Sequence, residues 1–267
     1  MPIERINGIN LSFDVFGSGD PVVLVTGSGG RARLWQPLQV PALTGAGFRV
    51  IAVENRGVPP SDVCPEGFTV QDMVGDVADL IQKIGVGPCR ILGFSLGGIV
   101  VQELLLAHPD LVTQAILMAS RGRTDVLRGA LSAAESEMFD NGITLPPRYA
   151  ACMHAIQCLS PRTLNDEQRI ADWLDIFEMS RPDPSIQRAQ RGLDKIGNRL
   201  EEYRKIRKQC MVMAFGDDLI APPYLCREVA ESIPDCRYEE IAGCGHYGYL
   251  EDPDSVNALI IKFFRAL

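Results

Sequence analysis

CRILGFSLGGIVVQELLLAHPD, residues 89–110, joins a short apolar run to a helical pattern through a glycine-rich turn. The run is CRILGFS at 89–95, the turn is GFSLGG at 93–98, and IVVQELLLAHP follows without a break. This is Gly-x-Ser-x-Gly in the setting where it carries chemistry, a strand that ends in a sharp turn and opens a helix. A serine hydroxyl is a poor nucleophile unless it is held clear of the helix, and such a turn does this by forcing Ser95 into a strained backbone conformation. Side chains at Gly93 and Gly97 would collide across so tight a turn, which accounts for the two glycines.

The same rhythm extends in both directions. Continuous apolar runs recur at 21–27 (PVVLVTG), 48–55 (FRVIAVEN), 114–120 (QAILMAS), 209–217 (QCMVMAFGD) and 236–241 (CRYEEI). Most are too uniformly apolar to leave one face wet. Separated by helical segments such as 69–84 and 97–107, they read as strands of a parallel sheet covered on both faces, a doubly wound α/β fold. Before them, Asn7-Gly8 and then GSGD at 17–20 punctuate an alternating stretch that reads as a β-hairpin. Between Ser120 and Gln209 the strand signal stops. Only helical patterns appear there, broken by LPP (145–147), SPRT (160–163) and RPDP (181–184). Residues 1–120 and 209–267 are therefore expected to form the core, and 121–208 an inserted helical cap. The insert holds 15 Lys/Arg against 13 Asp/Glu, whereas the other 179 residues hold 11 against 21.

Composition excludes several classes. The 267 residues, 46% hydrophobic and 22% charged, fit an ordinary globular chain and are enough for one large domain with an insertion. No apolar run approaches the ~18 residues of a membrane helix. A net charge of −8 has the wrong sign for a protein that neutralises phosphates, so no nucleic acid is expected as a partner. The amino terminus carries neither an export nor a transit pattern, which points to the cytoplasm. The eight cysteines include no CxxC pair and read as free thiols, and three histidines support no metal cluster. No cofactor is called for.

Ser95 needs a base, and only His108, His154 and His246 exist. His108, in AHPD at the end of a helix, has an adequate structural role beside the helix C-terminus. His154 lies in the insert, where a helix could direct it at a ligand. His246, in GCGHYGYLEDP, follows the last strand-like run in a glycine-rich loop, the kind of segment that carries catalytic groups on α/β scaffolds, and is the candidate base. An acid must fix its tautomer, and FGDDLIAPP offers Asp217 and Asp218, of which Asp218 is preferred. The order Ser95, Asp218, His246 is the one this elbow architecture uses. An oxyanion needs two backbone N–H groups: Leu96, after the nucleophile, supplies one, and Ser28, in the glycine-rich loop TGSGGRARLW (26–35), the other. A dinucleotide-binding reading of that loop fails, because G-x-G-x-x-G is absent and Pro37 and Pro41 interrupt the next helix.

With GFSLGG, FGDDLIAPP and GCGHYGYLEDP in hand, the chain resembles the α/β-hydrolase superfamily, in particular the branch of small esterases, cofactor-free haloperoxidase-like proteins and carbon–carbon bond hydrolases. The resemblance implies the α/β-hydrolase fold, a mostly parallel sheet with an inserted helical cap. It also favours Asp218 as the acid, four residues before Pro222. A serine in the elbow separates the chain from the epoxide hydrolases and haloalkane dehalogenases, which use aspartate. Two departures stand out. The oxyanion loop begins Thr26-Gly27 in place of His-Gly, and ENRGVPPS (54–61) has Pro59 where the family places its second glycine. Both are expected beside the pocket.

The leading expectation is hydrolysis of a small ester, thioester or related acyl compound through an acyl-serine. The alternative is a non-hydrolytic step at the same site, elimination, cyclisation or acyl transfer in natural-product biosynthesis. Arg31, Arg33, Arg121 and Arg123 follow strand ends on the ligand side of such sheets. Arg31, Arg121, Arg123 and His154 are candidates for holding a small-molecule substrate, which the arginines would suit if it is anionic. A monomer or homodimer is expected, with no membrane partner.

Overall fold

The computed structural model describes residues 2–180, 186, 189, 190, 192, 193 and 195–266, so the RPDP stretch lies outside the described residues. The strands are β1 (Ile3–Ile6), β2 (Ile9–Phe16), β3 (Asp20–Val25), β4 (Phe48–Glu54), β5 (Cys89–Phe94), β6 (Val112–Met118), β7 (Gln209–Phe215) and β8 (Cys236–Ile241). They form one sheet in the order β1-β2-β4-β3-β5-β6-β7-β8, antiparallel only where β2 meets β1 and β4. The β1–β2 turn uses Asn7 and Gly8, both at positive φ, as a two-residue hairpin requires.

Alternate side chains of each strand enter two separate cores. Val23, Val25, Ile51, Val53 and Ile91 pack with α2 (Val70–Lys83) and α3 (Leu96–Ala107). Val22, Leu24, Val50, Ala52 and Leu92 pack on the opposite face with α1 (Gln39–Gly45) and the final helix Pro253–Phe264. Each fully buried Leu, Ile or Val contributes ~1.5–3 kcal/mol, which is why the central strands show no polar face. β8 differs from the apolar reading of 236–241: it is an edge strand, and Arg237 and Glu240 stand exposed, charges that discourage edge-to-edge pairing.

Between β6 and β7 lie α4 (Val126–Asp140), α5 (Pro147–Cys158), α6 (Pro161–Leu164), α7 (Glu167–Met179) and the short helix Leu200–Tyr203, with no strand among the described residues. The punctuation of the sequence marks helix starts. Pro147 and Pro161 occupy first-turn positions where a missing N–H costs nothing, and the Ser160 hydroxyl accepts from Thr163 N–H. Among the described residues no helix is long and apolar enough to cross a membrane.

Register decides where the loops meet. Val25 lies opposite Gly93, Phe94 opposite Met118, Met118 opposite Met213, and Phe215 opposite Ile241. The loops that follow β3, β5, β6, β7 and β8 therefore emerge side by side at one edge of the sheet.

Candidate active site

Ser95 stands between β5 and α3 with φ 54° and ψ −117°, a conformation costly for a residue with a side chain. The surroundings enforce it. A Cβ on Gly93 would strike the Gly97 carbonyl, and one on Gly97 would strike the carbonyl of Val25. The Ser95 N–H donates to Met118 O at 2.9 Å, its carbonyl accepts from the Ser120 hydroxyl at 2.9 Å, and Gln102 Nε2 supports that hydroxyl at 3.1 Å. The turn is thus tied by its N–H to the end of β6 and by its carbonyl to the loop that follows β6.

His246 reaches the serine from the loop after β8, its Nε2 3.0 Å from Ser95 Oγ. Its Nδ1 lies 2.8 Å from Asp218 Oδ2, and the pair is buried. A carboxylate only accepts, so Nδ1 carries the proton and Nε2 presents a lone pair to the serine hydroxyl. The other oxygen of Asp218, Oδ1, accepts from the N–H groups of Ile220 and Ala221 at 2.7 and 2.9 Å, which fixes the carboxylate. Asp217 takes no part in this: its N–H donates to Cys244 O, and its side chain is half-buried beside the turn. His108 is the exposed C-cap of α3.

Ser95 and His246 open onto a cavity of about 330 Å3. Ser28 and Leu96 line it. Leu96 opens α3, so its N–H has no acceptor within the helix. In the loop after β3, Gly29 N–H donates to Gln190 Oε1, Gly30 N–H to Gly27 O and Ala32 N–H to Glu54 Oε1. For the Ser28 N–H no acceptor is found among the described residues. Gly27 brings this loop against Ser95, since a Cβ there would lie 3.0 Å from Ser95 Cβ. Of the two sequence departures, Thr26-Gly27 lines the cavity, whereas Pro59 does not, contrary to expectation. Pro59 instead belongs to the turn after β4, its carbonyl accepting from Arg31 Nη1 at 3.4 Å.

The candidate binding residues divide. Arg121, buried, and His154 line the cavity. Arg31 and Arg33 do not, and Arg123 is drawn away into a two-point pair with Glu228 at 2.7 Å. In the sequence Arg123 resembled Arg121, but the chain turns between them and only one side chain faces inward. His154 Nε2 meets the Tyr247 hydroxyl at 3.0 Å, and its ring stands edge-on to Phe177. Desolvation, and secondarily the nearby His246, lower the pKa of His154 and favour a neutral ring beside the Tyr247 hydroxyl. Among the polar lining residues that the sequence reading did not single out are Arg128 and Glu135, on α4, and Gln157, on α5. Helical periodicity alone does not say which face of an inserted helix meets the sheet.

Glu54, at the end of β4, is 2% exposed and burial raises its pKa from 4.5 to about 7. The Ala32 N–H and the nearby Arg31 and Arg33 oppose that rise without cancelling it.

Comparison with known proteins agrees with this architecture. The profile of the alpha/beta hydrolase family matches residues 22–259. A Mycobacterium tuberculosis protein provisionally named non-heme bromoperoxidase BpoC is 43% identical over 261 residues, which cover 97% of this chain and 99% of its own. Its crystal structure superposes with a TM-score of 0.92 over 97% of this chain and 96% of that one. An Azorhizobium caulinodans protein, provisionally named carbamate hydrolase RutD, is 27% identical over 275 residues, covering 98% of both chains. A profile match across most of the sequence, on a fold that presents its Gly-x-Ser-x-Gly turn at the sheet's loop edge, assigns this chain to the alpha/beta hydrolase family.

Proposed function

We propose that this protein is a serine hydrolase that cleaves a small ester, thioester or related acyl compound bearing an acidic group. The observation that carries the reading is the continuous chain of contacts from Asp218 through His246 to Ser95, at 2.8 and 3.0 Å. His246 Nε2 takes the hydroxyl proton as Ser95 Oγ attacks the carbonyl, and Asp218 stabilises the imidazolium that results. The oxyanion forms between the N–H groups of Ser28 and Leu96, donors already fixed before substrate arrives. The imidazolium returns its proton to the leaving group. Water, deprotonated by the same nitrogen, then attacks the acyl-serine and the cycle closes.

The acidic group is argued from the cavity wall. In a chain of net charge −8, the described residues of the wall include the guanidinium groups of Arg121, which donates to Ile220 O at 3.1 Å, and Arg128, whose Nη2 lies 3.6 Å from the Glu135 carboxylate. Carboxylates suit arginine because the planar fork donates two parallel hydrogen bonds. The name of the Azorhizobium relative fits within the reading, since a carbamate presents the same carbonyl to the serine. The name of the Mycobacterium relative favours a second reading that uses the same acyl-serine. Hydrogen peroxide attacking in place of water would release a peroxyacid, which could then oxidise bromide.

Steady-state hydrolysis of nitrophenyl esters tests the proposal, comparing neutral acyl chains with chains of equal length ending in a carboxylate. A higher kcat/KM for the carboxylate series and an initial burst of nitrophenol are expected. Absence of turnover across both series, with or without peroxide, would contradict it.

A further inference from the structure

Three side chains fasten the loop after β3, and one of them comes from the insert. Asn55 Nδ2 donates to Thr26 O at 2.9 Å and holds the beginning of the loop, while Glu54 accepts from Ala32 N–H at 3.1 Å and holds its end. The apex is held by Gln190. Its Oε1 accepts from Gly29 N–H at 2.6 Å and from the Ser28 hydroxyl at 3.2 Å, and its Nε2 donates to Arg56 O at 3.1 Å. The amide orientation is forced, because an N–H on one side and a carbonyl on the other admit only this assignment.

Arg56 is itself immobilised by a two-point pair with Asp76, at 2.7 and 2.6 Å. Gln190 is buried, as are Ile186, Ala189 and Leu193. A polar amide is costly to bury unless its hydrogen-bonding groups are satisfied, and here its oxygen and its nitrogen each have a partner. The turn beside it makes room: Gly57 has φ 88°, and a Cβ there would crowd Gln190 Cγ at 3.2 Å.

We propose that Gln190 is a positioning residue for the oxyanion-binding loop, anchoring Ser28 and Gly29 to the Arg56 turn so that the Ser28 N–H stays at the cavity wall beside Ser95. By engaging the Ser28 hydroxyl and the Gly29 N–H, it leaves the Ser28 N–H as the donor for the oxyanion. The inference rests on the serine-hydrolase reading above for its kinetic consequence, and on the hydrogen bonds alone for its structural one.

The test compares wild type with Gln190→Leu, which removes both hydrogen-bonding groups at similar volume, and with Gln190→Glu, which keeps the acceptor. Two quantities are measured: hydrogen–deuterium exchange of the peptide spanning 26–32, and kcat and KM for a nitrophenyl ester. In Gln190→Leu, exchange is expected to quicken at least about tenfold. Its kcat should fall about ten- to a hundredfold, less than the loss of a whole oxyanion donor, with KM changed less than about threefold. Gln190→Glu, which keeps the acceptor for Gly29 N–H but loses the donor to Arg56 O, should recover only part of kcat. A well-folded Gln190→Leu with unchanged exchange and unchanged kcat would overturn the proposal, as would a rise in KM alone, the mark of a substrate contact. If Gln190→Leu does not fold, Gln190→Met, which keeps the length and the apolar stem, carries the same expectations. A wild type inactive on every acyl ester would defeat the hydrolase reading, while the exchange comparison would still decide whether Gln190 anchors the loop.

Discussion

Asp218 divides its carboxylate: Oδ2 holds the Nδ1 of His246 at 2.8 Å, and Oδ1 is occupied by the backbone of its own turn. A side chain fixed in this way sets the imidazole tautomer without being free to rotate. Asp218→Asn preserves the shape but can donate to Nδ1, which favours the tautomer with its proton on Nε2, where it cannot accept from serine. We expect kcat to fall by about 10³- to 10⁴-fold with the fold intact. Asp217→Asn should stay within about threefold of wild type. Measuring kcat for the two single variants checks the assignment, and comparable losses in both would refute it.

The elbow makes a different kind of demand. Because a Cβ on Gly93 would meet the Gly97 carbonyl, the strained Ser95 conformation depends on the bare backbone there. Gly93→Ala should cost about 1–3 kcal/mol in stability and abolish turnover even though no reacting group has been removed. Urea denaturation and an ester assay on the same sample would reveal it. An alanine variant with wild-type turnover would show that the turn tolerates more than its geometry implies.

Glu54 gives a pH dependence of stability. Its folded pKa, about 7, lies above the value near 4.5 that it would have unfolded, so the unfolded chain releases this proton first. Stability associated with Glu54 is therefore greatest below about pH 4.5 and is lost as the pH rises to about 7, by at most about 3 kcal/mol. Glu54→Gln keeps an acceptor for Ala32 N–H and carries no charge. Relative to wild type, its Tm should rise with pH across that window and remain higher above it. A difference in Tm that does not vary with pH would contradict the assigned shift.

Arg128 provides a specificity test. Replacing it by alanine should raise KM for a carboxylate-bearing ester about 10- to 100-fold while leaving the neutral ester of equal length nearly unaffected, the size expected for one charge-assisted hydrogen bond. Equal effects on both esters would place Arg128 in a purely structural role.

The core of this architecture could be read from local sequence because each of its parts is a local demand. Buried parallel strands must be continuously apolar, as in 89–95 and 209–215, and a positive-φ hairpin turn needs Asn7-Gly8. Ser95 was visible because its strain requires glycine on either side. Asp217 and Asp218 could not be separated on local grounds, since which carboxylate faces His246 depends on how the chain turns after β7. Arg128 and Gln190 gave no signal for the same reason. Their positions depend on how inserted helices pack against loops distant in sequence, as Gln190 does against Gly29 and Arg56. Arg31 and Arg123 show the converse, correct in position along the chain but not among the cavity-lining residues.

The claim on which the rest depends is that Ser95 is a nucleophile activated by His246. Intact-mass spectrometry after exposure to a fluorophosphonate tests it directly, comparing wild type with Ser95→Ala and His246→Ala. A single adduct on wild type that is absent from Ser95→Ala and formed at least about 10³-fold more slowly by His246→Ala is the predicted result. An unlabelled wild type, or an adduct that persists in Ser95→Ala, would contradict the assignment of Ser95.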